Sequence, residues 1–196
     1  PTTGFREEFP KLFQGLGKLK TEYKIAVDET VKPFCLYTAR KIPHPLLPKV
    51  KEEIQYMLKQ GVISEVTGPV EWCSGIVPVP KATDPSDGVR VCSDLTMLNR
   101  AVKREVHPMK SVDESLAQLA ESLYYTKLDA NRGFWQLPLS PESRLLTTFI
   151  TPFGRYCFNR LPFGISSAPE IFQREMSKIL DNIEGVICHM DDILFH

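Results

Sequence analysis

The chain has 196 residues, 42% hydrophobic and 24% charged, with 24 Lys and Arg balancing 24 Asp and Glu. That length and composition fit one large domain or two small ones around a real core, and exclude a disordered chain. No run of 18 apolar residues occurs and residues 1–20 are charged throughout, so neither a helical membrane span nor a secretory leader is expected, and no membrane partner.

Cys35, Cys73, Cys92, Cys157 and Cys188 are odd in number, widely spaced, and form no Cys-x-x-Cys. Reduced thiols in an intracellular protein are expected, and a zinc site is not. Charge is uneven: residues 1–110 hold 17 basic against 13 acidic side chains, and residues 111–196 hold 7 against 11. A basic half joined to an acidic half suits a polyanion held over a metal site.

Residues 1–45 show little periodicity. Phe9–Phe13 suits a short helix, Tyr23–Val27 alternates like a strand, and Pro10, Pro33, Pro43 and Pro45 keep much of this arm extended, as a strap across something else. A helix is predicted over 46–60, because Val50, Ile54, Met57 and Leu58 make one apolar stripe and Gly61 is a natural stop. Val62–Val66 reads as a strand. Residues 74–99 read as a hairpin with strands Ile76–Val79 and Val89–Cys92 and a turn-rich loop Lys81–Gly88. Lys81 and Arg90, on its two arms, could grip a triphosphate or be solvated surface charges.

Ser111 with Glu114 makes a capping box for a helix over 111–121. Tyr124–Asp129 is a strand ending in a carboxylate, followed by a polar break and Phe134-Trp135. Leu145–Leu161 is a second hairpin, turning at Thr151-Pro-Phe-Gly154. A helix over 166–183 starts at Ser166 or Ser167 with Pro169 in its first turn, and carries a stripe of Phe172, Met176, Ile179, Leu180 and Ile183. After Gly185 come two apolar runs flanking Asp191-Asp192, which reads as strand, tight turn, strand. Asp-Asp is a poor turn and its two anions repel, a cost that a divalent cation would offset.

The order strand-Asp129, then Leu161-Pro-Phe-Gly164-Ile-Ser-Ser-Ala-Pro169 opening a helix, then His189-Met-Asp-Asp192 in a hairpin resembles the palm of reverse transcriptases. Each motif alone is weak; three in this order and spacing are specific. From about residue 9 to the end the chain looks like the Ty3/gypsy retrotransposon branch, most closely over Phe149–Gly164.

The resemblance implies an α+β, right-hand polymerase fold with an antiparallel palm sheet and packed helices. The expected parts are an arm over 1–45, mainly fingers over 46–115 and mainly palm over 116–196. It implies that Asp129 and Asp191 hold two Mg²⁺ (or Mn²⁺), with Asp192 as the third, less directly engaged carboxylate. Lys81 and Arg90 fall at positions that grip the incoming phosphates. Phe134 falls where an aromatic sits under the sugar and excludes a 2′-hydroxyl; by itself it would be read as a core aromatic. Phe163 and Gly164 match the loop lining the nucleotide pocket, and His189 and Met190 also fall at substrate-binding positions.

Two positions depart from the pattern. His189 stands where Tyr or Phe is usual, and Thr96 stands where a cation helps order the fingers. Because the chain stops at His196, the resemblance implies a piece of a longer polyprotein, truncated before the thumb and RNase H segments. The second strand of the Asp-Asp hairpin is then expected to have an unpaired edge and a poorly fixed register. The implied partners are an RNA or DNA template with its primer, deoxynucleoside triphosphates and those downstream segments. The implied setting is cytoplasmic or within a virus-like particle. The expected function is RNA- or DNA-templated DNA synthesis. The alternative is a catalytically silent remnant that binds nucleic acid or a protein; a metal-dependent nuclease lacks the extra acidic or His cluster it would need.

Overall fold

The computed structural model describes residues 2–81, 88–108, 114 and 122–196. The helix expected over 111–121 and most of the Lys81–Gly88 loop lie outside the described residues. The helices are α1 (Thr2–Glu8), α2 (Leu47–Lys59), α3 (Thr96–Asn99), α4 (Pro141–Arg144) and α5 (Ala168–Leu180). The strands are β1 (Ile63–Glu65), β2 (Ile76–Pro80), β3 (Val89–Ser93), β4 (Thr126–Asp129), β5 (Phe149–Thr151), β6 (Gly154–Phe158), β7 (Val186–His189) and β8 (Asp192–Phe195). They form three antiparallel sheets, in the orders β1-β6-β5, β2-β3 and β4-β8-β7.

Helix α2 forms where its apolar stripe and an early proline direct it. Val50, Ile54 and Met57 are buried, and Leu58 packs on the same core. Gly61 stops it at φ 66°, where a residue with a Cβ would be strained. The Gly61 N–H donates to Leu58 and the Val62 N–H to Met57, closing the last turn. In β3 the alternation is clean: Val89, Val91 and Ser93 point inward, Arg90 and Cys92 outward.

The arm departs from the expected strand at Tyr23–Val27. It makes isolated bridges instead, Tyr23 to Leu139 and Val27 to Val102, because its partners are loop segments rather than a sheet edge. The Tyr23 N–H donates to Pro138 at 2.8 Å, the Ser140 N–H returns to Tyr23 at 2.8 Å, and the Asp28 N–H reaches Ala101 at 2.7 Å. The short helix expected at Phe9–Phe13 is a 3-10 turn over Pro10–Phe13, preceded by α1.

Helix α5 is shorter than its stripe implied. Phe172 and Met176 are buried and Leu180 packs partly on the core, but Ile179 and Ile183 are about half exposed, and Ile183 lies beyond the helix. The Ser167 side chain does not cap it; its hydroxyl meets that of Tyr23 at 3.2 Å, tying the arm to the helix start.

The Asp-Asp hairpin also differs in detail. The turn residues are Met190 and Asp191, and Asp192 is already the first residue of β8. Strand β8 is not an unpaired edge. It lies between β4 and β7 with full registers on both sides, because residues 126–129 reach across to it.

Candidate active site

The three aspartates meet at one end of the β4-β8-β7 sheet. Antiparallel pairing sets Asp129 directly opposite Asp192, and Asp191 precedes Asp192 in the turn. The Ala130 N–H donates to the Asp191 carbonyl at 2.8 Å, fastening the turn to the end of β4. Met190 takes φ 53°, so the left-handed residue this turn needs is Met190 rather than an aspartate.

Burial raises the pKa of Asp191, and the neighbouring Asp129 and Asp192 carboxylates raise it further. Its Oδ1 is buried without a hydrogen-bond partner. Lys127 Nζ draws Asp192 Oδ2 to 2.9 Å. Among the described residues no group of three or more His, Cys, Asp and Glu side chains closes around one point. An orphaned buried anion beside a second carboxylate fits a hard divalent ion, which takes oxygen ligands and keeps several waters.

Gly133 makes the close packing of Asp191 possible. A Cβ there would run into the Asp191 carboxylate and meet Phe172 Cζ at 2.9 Å. Phe134, next in the chain, is 8% exposed, with its ring centroid 4.9 Å from that of Phe163 and 5.5 Å from that of Phe172. The ring open to solvent in this cluster is Phe163, 46% exposed.

Lys81 and Arg90 line one cavity of about 310 Å³ with Phe163. Gly164, at φ 98°, is held by Asn99, whose side chain donates to the Gly164 carbonyl at 2.7 Å and accepts the Ser166 N–H at 2.9 Å. His189 lies opposite Asp192 in the ladder and lines a different cavity, of about 180 Å³, between the hairpin and α5.

Two residues without a sequence expectation hold the site. Asn99 is one. Gln173, buried on α5, is the other: its Nε2 donates to the Cys188 carbonyl at 3.0 Å and its Oε1 accepts the Met190 N–H at 2.7 Å. A polar side chain between buried Phe172 and Met176 was the available signal for Gln173. Asn99, at the end of a four-residue helix, had none.

The family described as "Reverse transcriptase (RNA-dependent DNA polymerase)" matches residues 79–196. The Pol polyprotein from transposon opus of Drosophila melanogaster is 30% identical over 192 residues, 95% of this chain and 19% of that protein. That from transposon 297 of the same organism is 34% identical over 148 residues, 74% of this chain and 14% of that protein. Among solved structures, the prototype foamy virus protease-reverse transcriptase superposes with a TM-score of 0.86 at 26% identity, covering 100% of this chain and 26% of that one. A foamy viral protease-reverse transcriptase in complex with an RNA/DNA hybrid superposes with a TM-score of 0.82 at 26% identity, covering 98% of this chain and 26% of that one. The chain therefore spans 14–26% of the length of these relatives, and it belongs to the reverse transcriptase family, with gypsy-type retrotransposon polyproteins among its relatives.

Proposed function

We propose that the chain is the fingers and palm of a polymerase that copies RNA or DNA into DNA, working with thumb and RNase H segments of a longer polyprotein. The observation that carries this is Asp191: a buried, unpartnered carboxylate oxygen crowded by two other carboxylates. Such an arrangement is costly alone and useful with a cation. Asp129 and Asp191 would hold Mg²⁺ or Mn²⁺, and such ions, when bound, activate a primer 3′-hydroxyl and offset charge on the triphosphate.

The chain's own residues do the rest. In the reaction the 3′-oxygen bonds to the α-phosphorus while the bond to the departing pyrophosphate breaks. Lys81 and Arg90 bind the phosphates. Phe163, backed by Phe134, offers an apolar surface to the sugar and base. Gln173 and Gly133 fix where Asp191 stands. The five free thiols support a reducing, intracellular setting.

The test is primer extension by the longer protein that carries this chain. Asp129→Asn and Asp191→Asn are each expected to abolish nucleotide incorporation while template binding stays nearly intact. Most of the activity surviving in either variant would overturn the assignment. Tight template binding with no extension by the unaltered protein would favour a silent nucleic-acid binder.

A further inference from the structure

Two of the five cysteines face each other. The arm runs beside the segment that leads into β2, and Cys35 pairs with Cys73 there in an isolated parallel bridge. The Cys73 N–H donates to the Phe34 carbonyl and the Leu36 N–H to the Cys73 carbonyl, both at 2.9 Å, so the backbone is fixed on either side of Cys35. Neighbouring strands lie about 4.8 Å apart, inside the ~4.4–6.8 Å between Cα atoms that a disulfide spans. The Cys73 thiol is pushed up to about 11, by burial first and then by the Cys35 thiol as a neighbouring charge and hydrogen-bond partner, so the side chains meet as well. The other cysteines have no such neighbour in their ladders: Cys92 faces Val77, Cys157 faces Ser64 and Cys188 faces Ile193.

The paired thiols differ in access. Cys73 is 1% exposed, whereas Cys35 is half-buried and lines an open groove of about 660 Å³ with Tyr37, Val70 and Arg155. A small reagent can therefore reach Cys35 first. Beyond Cys73, the Ser74 N–H donates to the Thr148 carbonyl at 2.8 Å and the Ile150 N–H to the Ser74 carbonyl at 2.9 Å, which joins this segment to β5. A link from Cys35 to Cys73 would thus fasten the arm to the β1-β6-β5 sheet.

We propose that Cys35 and Cys73 form a dithiol modification site, which a low-molecular-weight disulfide of the glutathione class enters at Cys35 and closes into a disulfide that latches the arm. The Cys35 thiol gives its proton to solvent and its sulfur attacks one sulfur of the incoming disulfide. That S–S bond breaks, and one small thiol leaves with a proton from solvent. The Cys73 thiol then loses its proton and attacks the Cys35 sulfur; the mixed disulfide breaks and the second small thiol leaves, protonated. Two protein thiols are oxidised and one small disulfide is reduced to two thiols. A reducing setting keeps the pair open, and the site does not depend on the polymerase reading.

The test treats the longer protein that carries this chain with oxidised glutathione at about pH 8.5, where more of each thiol is ionised. Free thiols are then alkylated, and peptides are mapped by mass spectrometry without reduction. A Cys35–Cys73 link is expected in the natural protein. In Cys73→Ser, and in Cys73→Ala as the variant that buries no hydroxyl, glutathione should stay on Cys35. In Cys35→Ser, Cys73 should stay unmodified. Exposed Cys92 should stop at the mixed disulfide. Hydrogen exchange of the Leu36 and Cys73 amides should slow about tenfold or more on oxidation and recover with dithiothreitol, because the link closes a loop around α2 and β1. Four results would overturn the proposal: no reaction at Cys35, glutathione left on Cys35 of the natural protein with Cys73 unlinked, Cys73 modified in Cys35→Ser, or unchanged exchange of those two amides.

Discussion

Asp191 sits half-buried, one oxygen unpaired, beside two like charges. Its raised pKa means that the ionised form favours unfolding. The penalty is full above the folded pKa and disappears below the unfolded value near ~3.9. Asp191→Asn should therefore raise the melting temperature of the metal-free chain at pH 7 by a few degrees, and the gain should fade as pH falls below about 4. Mg²⁺ should raise the melting temperature of the natural chain and have little effect on the Asn form. Thermal melts at the two pH values, with and without Mg²⁺, check this; an Asn form no more stable at pH 7 would show that Asp191 carries no such penalty. The aspartates were legible because a strand-end carboxylate and an Asp-Asp pair leave a linear trace. The left-handed Met190 was not, since that conformation follows from the register β8 keeps with β4 and β7.

The element that steadies the hairpin is α5, through Gln173. The side chain satisfies one backbone N–H and one carbonyl of the turn region, a role that no apolar residue can take. Gln173→Met keeps the volume but leaves both groups unpaired. It should lower stability by about 1–3 kcal/mol and reduce kcat far more than nucleotide KM. Urea unfolding and steady-state extension by the longer protein test this, with Gln173→Glu, which keeps only the acceptor, falling between. Wild-type turnover in Gln173→Met would remove Gln173 from the positioning role. Periodicity located α5 but overestimated its buried stripe, because α5 stops at Leu180 and leaves Ile179 exposed. Pattern shows which residues share a face, not what covers that face.

For the whole molecule, the arm decides how the parts hold together. Its backbone pairs with residues near 101 and again near 138, so one segment fastens two separate stretches. It also brings a cation, Arg40, to Asp94 in the Ser93–Thr96 stretch. Arg40 Nη2 reaches Asp94 Oδ2 at 2.5 Å and Thr96 Oγ1 donates to Asp94 Oδ1 at 2.7 Å; these bonds hold the Asp94 pKa below its usual value. A motif confined to neighbouring positions could not reveal this, since Arg40 lies 54 residues away in sequence. The fold family and the meeting of the three aspartates were legible for the opposite reason, as each motif sits in a short stretch of fixed spacing.

That strap also sets a schedule. Tyr23 meets Ser167 across 144 positions and Ile25 meets Ser143 across 118, so the arm leaves the ribosome well before its partners are made. At ~5–20 residues per second the wait is on the order of 10 s, during which the arm is open to proteases and chaperones. The β2-β3 hairpin, whose strands are close in sequence, needs no such delay. Pulse-labelling hydrogen exchange during refolding should show the Val79 and Arg90 amides, which face each other in this ladder, protected before those of Tyr23 and Ile25. Arm amides protected first would mean that the strap nucleates the fold rather than closing it.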